Sequence, residues 1–382
     1  MRVNESITMK TRVKLKQAKC CVIKIGSAVL TDDGRGLNLQ AIDHWAAQIS
    51  ALKSKGIDVV LVSSGSVAEG LVRLGWNERP HALHELQAAA SVGQMGLIQA
   101  YEQSFQKLGF KTAQILLTHD DLANRTRYLN AQATIKTLLS LSVIPIVNEN
   151  DVVANEELKV GDNDTLAAMI ANLVSADVLM ILTDQAGFFE SDPRHNADAK
   201  LIKEIAVNDE RLDSAARTSA GLLGRGGMQT KLKAARIAAR SGAATLIVPG
   251  LSESVILKVI SGEDIGSFLI PDEDAVSARK RWLSGQLSVK GQLQIDAGAE
   301  KKLSKAGASL LPVGVVEVSG QFERGELVSC VNVDGKEVAR GLVNYSAKSI
   351  KLIKQKKSVE IESLLGFVEE PELIHRDNLV LS

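Results

Sequence analysis

Cys20-Cys21-Val22-Ile23-Lys24-Ile25-Gly26-Ser27 is a short apolar run with one lysine inside it, closed by a glycine turn. A run of this length that is apolar at consecutive positions reads as a strand buried on both faces, and the glycine and serine end it. The lysine is the informative residue, because an ammonium group inside such a strand is costly unless it reaches solvent or a partner. Working outward, Asn38 can cap a helix whose apolar positions Leu39, Ile42, Ala46, Ile49 and Leu52 follow helical spacing, and Gly56 can stop it. Val59 to Val62 is a second apolar strand, ending in Ser63-Ser64-Gly65-Ser66. The rhythm repeats. Helices are expected around Leu86 to Leu108, Leu129 to Leu139, Asp164 to Leu173 and Lys231 to Arg240, and strands at Ala113 to Leu117, Val143 to Val147, Val178 to Leu182 and Thr245 to Val248. The alternation predicts an α/β unit with an open, mainly parallel sheet sandwiched by helices, over residues 20–270.

After this unit the pattern changes. Residues 271–281 turn polar and charged, with Asp272, Glu273 and Asp274 in a row, and read as a linker. Residues 282–382 carry short strand signals at Gly314 to Val318, Leu327 to Asn332 and Val338 to Val343 with turn dipeptides such as Asp334-Gly335 between them, which predicts a second, small mainly-β barrel. Residues 1–19 hold Arg2, Lys10, Arg12, Lys14, Lys16 and Lys19 and read as a flexible basic arm.

Bulk properties narrow the function classes. A chain of 382 residues that is 45% hydrophobic can bury more than one core. Lys plus Arg and Asp plus Glu both total 45, so no excess charge draws the whole chain onto nucleic acid or an anionic membrane. Over 280–382 the balance is 15 basic against 13 acidic, a weak footprint for RNA even with the run Lys351, Lys354, Lys356, Lys357. The three cysteines, Cys20, Cys21 and Cys330, sit in no metal-ligand spacing and read as buried thiols in a reducing compartment. The first 19 residues lack an apolar segment of signal-peptide type, and no stretch reaches about 18 uninterrupted apolar residues, so a cytoplasmic location and no membrane partner are expected.

In an open parallel sheet, ligands bind beyond the C-terminal ends of the strands. The polar clusters at those ends are Gly26-Ser27, Ser63 to Ser66, Asn148-Glu149-Asn150-Asp151 and Thr183-Asp184. No Gly-x4-Gly-Lys-Ser/Thr run occurs, and the nearest dinucleotide-like run, Gly224-Arg225-Gly226, has Gln229 where a third glycine should stand, so neither a P-loop ATPase nor a dehydrogenase is expected. What remains is Lys24 ahead of Gly26, a glycine turn over Gly224 to Gly227 leading into a helix that carries Lys231, and an acidic turn, Gly161-Asp162-Asn163-Asp164, ahead of another helix. Glycines let backbone N–H groups approach phosphate oxygens, and two lysines from different segments can neutralise charge on a transferring phosphoryl group. A carboxylate between the lysines would hold both in place. Each element alone has a plainer reading: Gly26-Ser27 as a turn, Ser63-Ser64 as a strand end, Asp162 to Asp164 as a helix cap. Their coincidence points to a kinase. The six histidines show no ligand spacing or pairing, which suits a carboxylate acceptor: an acid with a reference pKa of about 4.3 is already ionised at pH 7 and needs no general base.

These residues resemble the bacterial glutamate 5-kinases, members of the amino-acid kinase family that carry a C-terminal PUA domain. The resemblance runs from about Cys21 onward and rests on Val22-Ile-Lys-Ile-Gly-Ser27, Val62-Ser-Ser-Gly65, Val147-Asn-Glu-Asn-Asp151, Lys159-Val-Gly-Asp-Asn-Asp164, Leu182-Thr-Asp184, Asp192-Pro-Arg194 and Gly226-Gly-Met-Gln-Thr-Lys231. In the tail it rests on Gly298-Ala299, Ser309-Leu-Leu-Pro312, Arg324-Gly-Glu326 and Ala339-Arg-Gly341. It implies transfer of the γ-phosphoryl group of ATP, with Mg2+, to the γ-carboxylate of L-glutamate, the first step of proline biosynthesis. By the same resemblance Lys24, Asp164 and Lys231 are catalytic, and Ser64, Asp151, Asp162 and Asn163 bind glutamate. Lys24, Gly26, Thr183, Asp184, Arg225, Gly226, Gly227, Met228, Gln229, Thr230 and Lys231 contact the nucleotide. No protein-held metal site is implied. Proline as inhibitor, a glutamyl phosphate reductase receiving the product, a homo-oligomeric state and RNA binding by the PUA-like unit are further implications. Two departures stand out: Ala28 where the family usually has Ser or Thr, and Arg225 where it usually has Thr. Two rival readings stay open, a kinase of the same fold acting on N-acetylglutamate or aspartate, and an RNA-binding regulatory protein that keeps an inactive kinase fold.

Overall fold

The computed structural model describes residues 11–32, 36–154, 163–196, 198–218, 227–272, 288–306 and 308–381. These fall into two compact units, one within 11–122 and 132–272, the other comprising 288–381 together with 123–131. No helix among the described residues is long and apolar enough to cross a membrane.

The first unit is built on strands β1 (Cys20–Ile25), β2 (Asp58–Ser63), β3 (Thr112–Leu117), β4 (Ile144–Glu149), β5 (Val178–Thr183), β6 (Glu204–Ala206), β7 (Ala244–Pro249) and β8 (Ser267–Ile270). They form one sheet in the order β3-β4-β2-β1-β5-β7-β8-β6. All neighbours are parallel except β7 and β8. β1 lies inside, between β2 and β5, with Lys24 in register with Val62 and Ile181. Alternation along β1 sends Cys21, Ile23 and Ile25 to one face, where they join Val59, Leu61, Met180 and Leu182 in the main core. Lys24, one step out of phase with that set, points to the other face.

Helix α1 (Leu39–Ser54) lays Ile42, Trp45 and Ile49 on the main core, and its N-cap Asn38 accepts from the Ala41 N–H as the sequence predicts. Helices α2 (Ser66–Leu74) and α3 (Leu83–Gln106) approach unusually closely. A Cβ at Gly70 would lie 1.7 Å from the Ala89 carbonyl oxygen, and one at Gly93 would lie 1.9 Å from that of Ser66, so only glycine fits at either position. Helices α4 (Arg125–Ser140), of which residues 132–140 belong to this unit, α5 (Asn163–Val174), α6 (Arg211–Thr218) and α7 (Met228–Ala239) complete the layers. The last two enclose a smaller core with Phe188, Ile205, Leu212, Leu232 and Leu269.

The second unit holds β9 (Gly291–Ile295), β10 (Val315–Gly320), β11 (Leu327–Val331), β12 (Glu337–Leu342) and β13 (Leu379–Leu381) in the order β10-β9-β11-β12-β13. Pairing is antiparallel except between β9 and β11. The expected strands coincide with β10, β11 and β12, while β9, β13 and the helix Ala347–Ile353 are additions. Cys21 in β1 and Cys330 in β11 are fully buried, and burial pushes the Cys330 thiol up to about 12 and the Cys21 thiol well above its ordinary value. Cys20 is only half-buried by exposure, a departure from the expected set of three buried thiols.

The expectation of a flexible arm over 1–19 fails for its second half. Residues 1–10 and 273–281 lie outside the described residues, but Arg12–Gln17 form a turn of 3-10 helix with Arg12 and Leu15 buried. The Arg12 guanidinium donates to the carbonyls of Lys203, Ile265 and Gly266, each at 2.9 Å, bonds Glu204 at 3.1 Å and stacks 5.6 Å from the Phe268 ring. A planar group with five donors can satisfy that many acceptors from one position, which a basic-residue count does not reveal. Arg12→Ala is expected to destabilise the chain by about 2–3 kcal/mol, because it orphans several carbonyls around a buried group. An unchanged denaturant midpoint would show the segment to be dispensable.

Candidate active site

Four strands of the first unit end at the same edge of the sheet, and the chain that follows each carries polar side chains. α5 and α7 start there too, so the partial positive charge of two helix N-termini faces that edge. Gly227 stands at the N-cap of α7, and among the described residues no side chain caps it.

At the centre sit Lys24, Asp164 and Lys231. Asp164, in the first turn of α5, is 1% exposed. Its Oδ1 lies 2.7 Å from Lys24 Nζ and its Oδ2 lies 3.3 Å from Lys231 Nζ. The Thr230 hydroxyl reaches the same Oδ2 at 2.9 Å and the Gly227 carbonyl at 2.8 Å. Lys24 is 5% and Lys231 6% exposed. Burial alone would push the Asp164 carboxyl up; the two ammonium groups, with hydrogen bonds from Lys24 and Thr230, hold it well below the usual carboxylate range. The triad carries a net positive charge. Gly26 keeps the space open, since a Cβ there would stand 3.3 Å from the Leu182 carbonyl oxygen and 3.5 Å from Lys24 Nζ. Far from the site, Asn172 of α5 donates to the Ile237 carbonyl of α7 and accepts from Ser241, so the two helices that deliver Asp164 and Lys231 are tied to each other.

Beyond β2 and β4 the character changes from charge to amides. Asn163 Nδ2 donates to the Ser63 carbonyl at 3.0 Å, to Ser64 Oγ at 2.9 Å and to Asn148 Oδ1 at 3.1 Å. Ser66 donates to Asp151 at 2.9 Å. The Asp151 carboxyl is pushed up to about 6, chiefly by burial and further by Glu149, while the Ser66 hydrogen bond and Arg79 restrain it. After β5, the Thr183 hydroxyl donates to the Asp184 carboxylate at 3.0 Å. Among the described residues no group of three or more His, Cys, Asp or Glu side chains converges as a metal would require.

Of the residues expected from sequence, Lys24, Asp164 and Lys231 stand in direct contact, and Ser64 with Asn163 forms a second contact pair. Asp151 contacts Ser66 rather than either of these. Gly26 follows β1, Thr183 ends the neighbouring strand β5 with Asp184 directly after it, and Gly227, Met228, Gln229 and Thr230 open α7. Asp162, Arg225 and Gly226 lie outside the described residues. The Thr230 hydroxyl reaches both Asp164 and the Gly227 carbonyl. Sequence reasoning missed Ser66, Asn148 and Gln94. The first two stood inside quoted polar clusters, whereas Gln94 is a polar residue in mid-helix and carries no local signal.

Asp164→Asn is expected to lower stability by roughly 3–5 kcal/mol, because two buried ammonium groups lose their shared counter-charge. The sign with pH follows from the depressed carboxyl: its contribution is complete above the unfolded value of about 3.9 and disappears as pH falls through the lower folded value. Acid titration of stability should therefore lose that limb in Asp164→Asn, and an identical acid profile in both proteins would refute the pairing.

Residues 19–249 match the model of the amino acid kinase family, and residues 291–365 match the PUA domain. The chain is 59% identical over 372 residues to a glutamate 5-kinase of Thioalkalivibrio sulfidiphilus, covering 97% of this chain and 99% of that one. It is 57% identical over 374 residues to a glutamate 5-kinase of Methylococcus capsulatus, covering 98% of this chain and 100% of that one. With a buried lysine–aspartate–lysine triad at the open edge of a parallel sheet and these likenesses along nearly its whole length, the chain belongs to the amino acid kinase family, grouped with the glutamate 5-kinases, and carries a PUA domain after the kinase unit.

Proposed function

We propose that the chain transfers the γ-phosphoryl group of ATP to the side-chain carboxylate of L-glutamate, giving glutamyl 5-phosphate and ADP. The observation that carries this reading is the net positive, almost fully buried triad Lys24, Asp164 and Lys231, taken with near full-length similarity to glutamate 5-kinases. A carboxylate oxygen of glutamate attacks the γ-phosphorus, the bond from that phosphorus to the β,γ-bridging oxygen breaks, and the electron pair leaves with ADP. No proton moves, so no general base is needed. The two ammonium groups compensate charge on the phosphoryl oxygens as bonding passes from one oxygen to the other, and Asp164 keeps both aimed.

In this reading Ser64, Asp151, Asp162 and Asn163 hold glutamate, and Gly26, Thr183, Asp184 and residues 225–231 hold the nucleotide. Mg2+ enters with ATP, held by phosphate oxygens and water, in keeping with its reluctance to dehydrate. Proline as inhibitor, a reductase that consumes the hydrolysis-prone acyl phosphate, a homo-oligomer, a cytoplasmic location and RNA binding through the second unit belong to the same reading and are supported by family likeness.

With Mg-ATP and hydroxylamine, L-glutamate is expected to give hydroxamate while N-acetylglutamate and aspartate give little; hydroxamate from either of those instead would reassign the substrate. Lys231→Met should lower kcat by a factor on the order of 10³ with the fold retained, and near-normal turnover would remove this lysine from the chemistry. Asp151 must be ionised to accept from the substrate's ammonium group. Below a pH of about 6, kcat/KM for glutamate should therefore fall about tenfold per unit in the parent chain. Asp151→Asn should show a lower, flat profile over the same range, and retention of the limb would assign it to another group.

A further inference from the structure

Three side-chain amides stand in line between α3 and α5. Asn148 Oδ1 accepts from the Glu149 backbone N–H at 2.9 Å, and Asn163 Nδ2 donates to the Ser63 carbonyl at 3.0 Å. A backbone N–H only donates and a backbone carbonyl only accepts, so these two contacts fix which way each asparagine faces. Asn148 Nδ2 is then turned toward Gln94, whose Oε1 accepts from it at 2.7 Å, and Asn148 Oδ1 receives Asn163 Nδ2 at 3.1 Å. Gln94, Asn148 and Asn163 are 8%, 1% and 7% exposed. Among the described residues, two atoms at the ends of this line have no partner: Gln94 Nε2, a donor, and Asn163 Oδ1, an acceptor. Native proteins pair more than about nine in ten such buried groups, so two exceptions at the ends of one line call for a partner such as water or a bound polar group.

We propose that Gln94 is a positioning residue for the substrate's α-amino acid head group: acting through Asn148, it keeps the Asn163 carbonyl oxygen aimed at the ammonium group of the bound amino acid. This rests on the glutamate reading above. Asn163 Nδ2 has two hydrogens and three acceptors within reach, so its setting depends on where Asn148 stands. Remove the Gln94 acceptor and the Asn148 amide nitrogen is left buried and unpaired. Rotation of Asn148 relieves that and releases Asn163. The same helix contact that seats Gln94, the close approach of Gly93 to the Ser66 carbonyl, also seats Ser66, which holds Asp151. The acceptor amide and the carboxylate for one ammonium group are thus referred to a single α2–α3 contact.

The test compares L-glutamate as substrate with glutarate, the same diacid without the ammonium group, as competitive inhibitor. In Gln94→Met, similar in length and unable to hydrogen-bond through its amide, KM for glutamate should rise about tenfold while kcat and the glutarate Ki change less than about twofold. Placed on Asn163→Ala, the same substitution should add nothing further. If Gln94→Met fails to fold, Gln94→Asn, one carbon too short for Asn148, reads the same ratio. A parallel loss for glutamate and glutarate, or an undiminished effect on the Asn163→Ala background, overturns the proposal. A parent chain that makes no acyl phosphate from glutamate overturns the functional reading and this inference with it, whereas an active parent with an unmoved ratio overturns the inference alone.

Discussion

Two ammonium groups share one carboxylate at the end of β1, and the first unit is arranged to make that tolerable. Lys24 comes from the strand, Asp164 from the first turn of α5 and Lys231 from the first turn of α7. Three separate segments must therefore be in register before any one of these charges can be buried. Breaking one partner out of such a set is costly, whereas the complete set still leaves one unit of positive charge unanswered. In the proposed function that surplus has a use. It favours an anion that arrives carrying more than one negative charge, and it does so in a place where water screens poorly. The hydroxyl of Thr230 supplies the remaining bond to Asp164 without altering the charge count.

The other end of the site works by shape and hydrogen-bond polarity. Ser64, Asn148 and Asn163 are neutral, and Asp151, beside Glu149 and Arg79, offers a charge that burial keeps easily protonated. In the proposed function a zwitterionic head group would meet directional acceptors and donors there, with its distal acid extending toward the lysines. On that proposal, strong charge at one end and oriented amides at the other would divide the labour between transferring phosphate and choosing the acid.

Most of the sheet could be read from the chain because continuous apolar strands and capped amphipathic helices announce themselves locally; Asn38 and the run Val59 to Val62 are examples. The short strands β6 and β8 could not. They take their identity from pairing with each other and, for β8, with β7, and the antiparallel step between β7 and β8 has no local signature. The arm was misread for the same reason, since Arg12 owes its burial to carbonyls about 190 to 250 residues away in sequence. In the site, Lys24 was legible as a charge out of place in a strand. Gln94 was not, because a glutamine in a helix looks the same whether it faces water or a buried asparagine.

Cys21 and Cys330 occupy the middle of one sheet each, with strands bonded on both sides. Both are sealed from solvent, and burial disfavours the thiolate that alkylating reagents require. Each sulfur therefore becomes reactive only when its own sheet opens, which gives every half of the molecule a built-in chemical clock. Pulsed labelling followed by peptide mapping would time the breathing of the kinase sheet and of the PUA sheet separately, with no probe to be engineered into either.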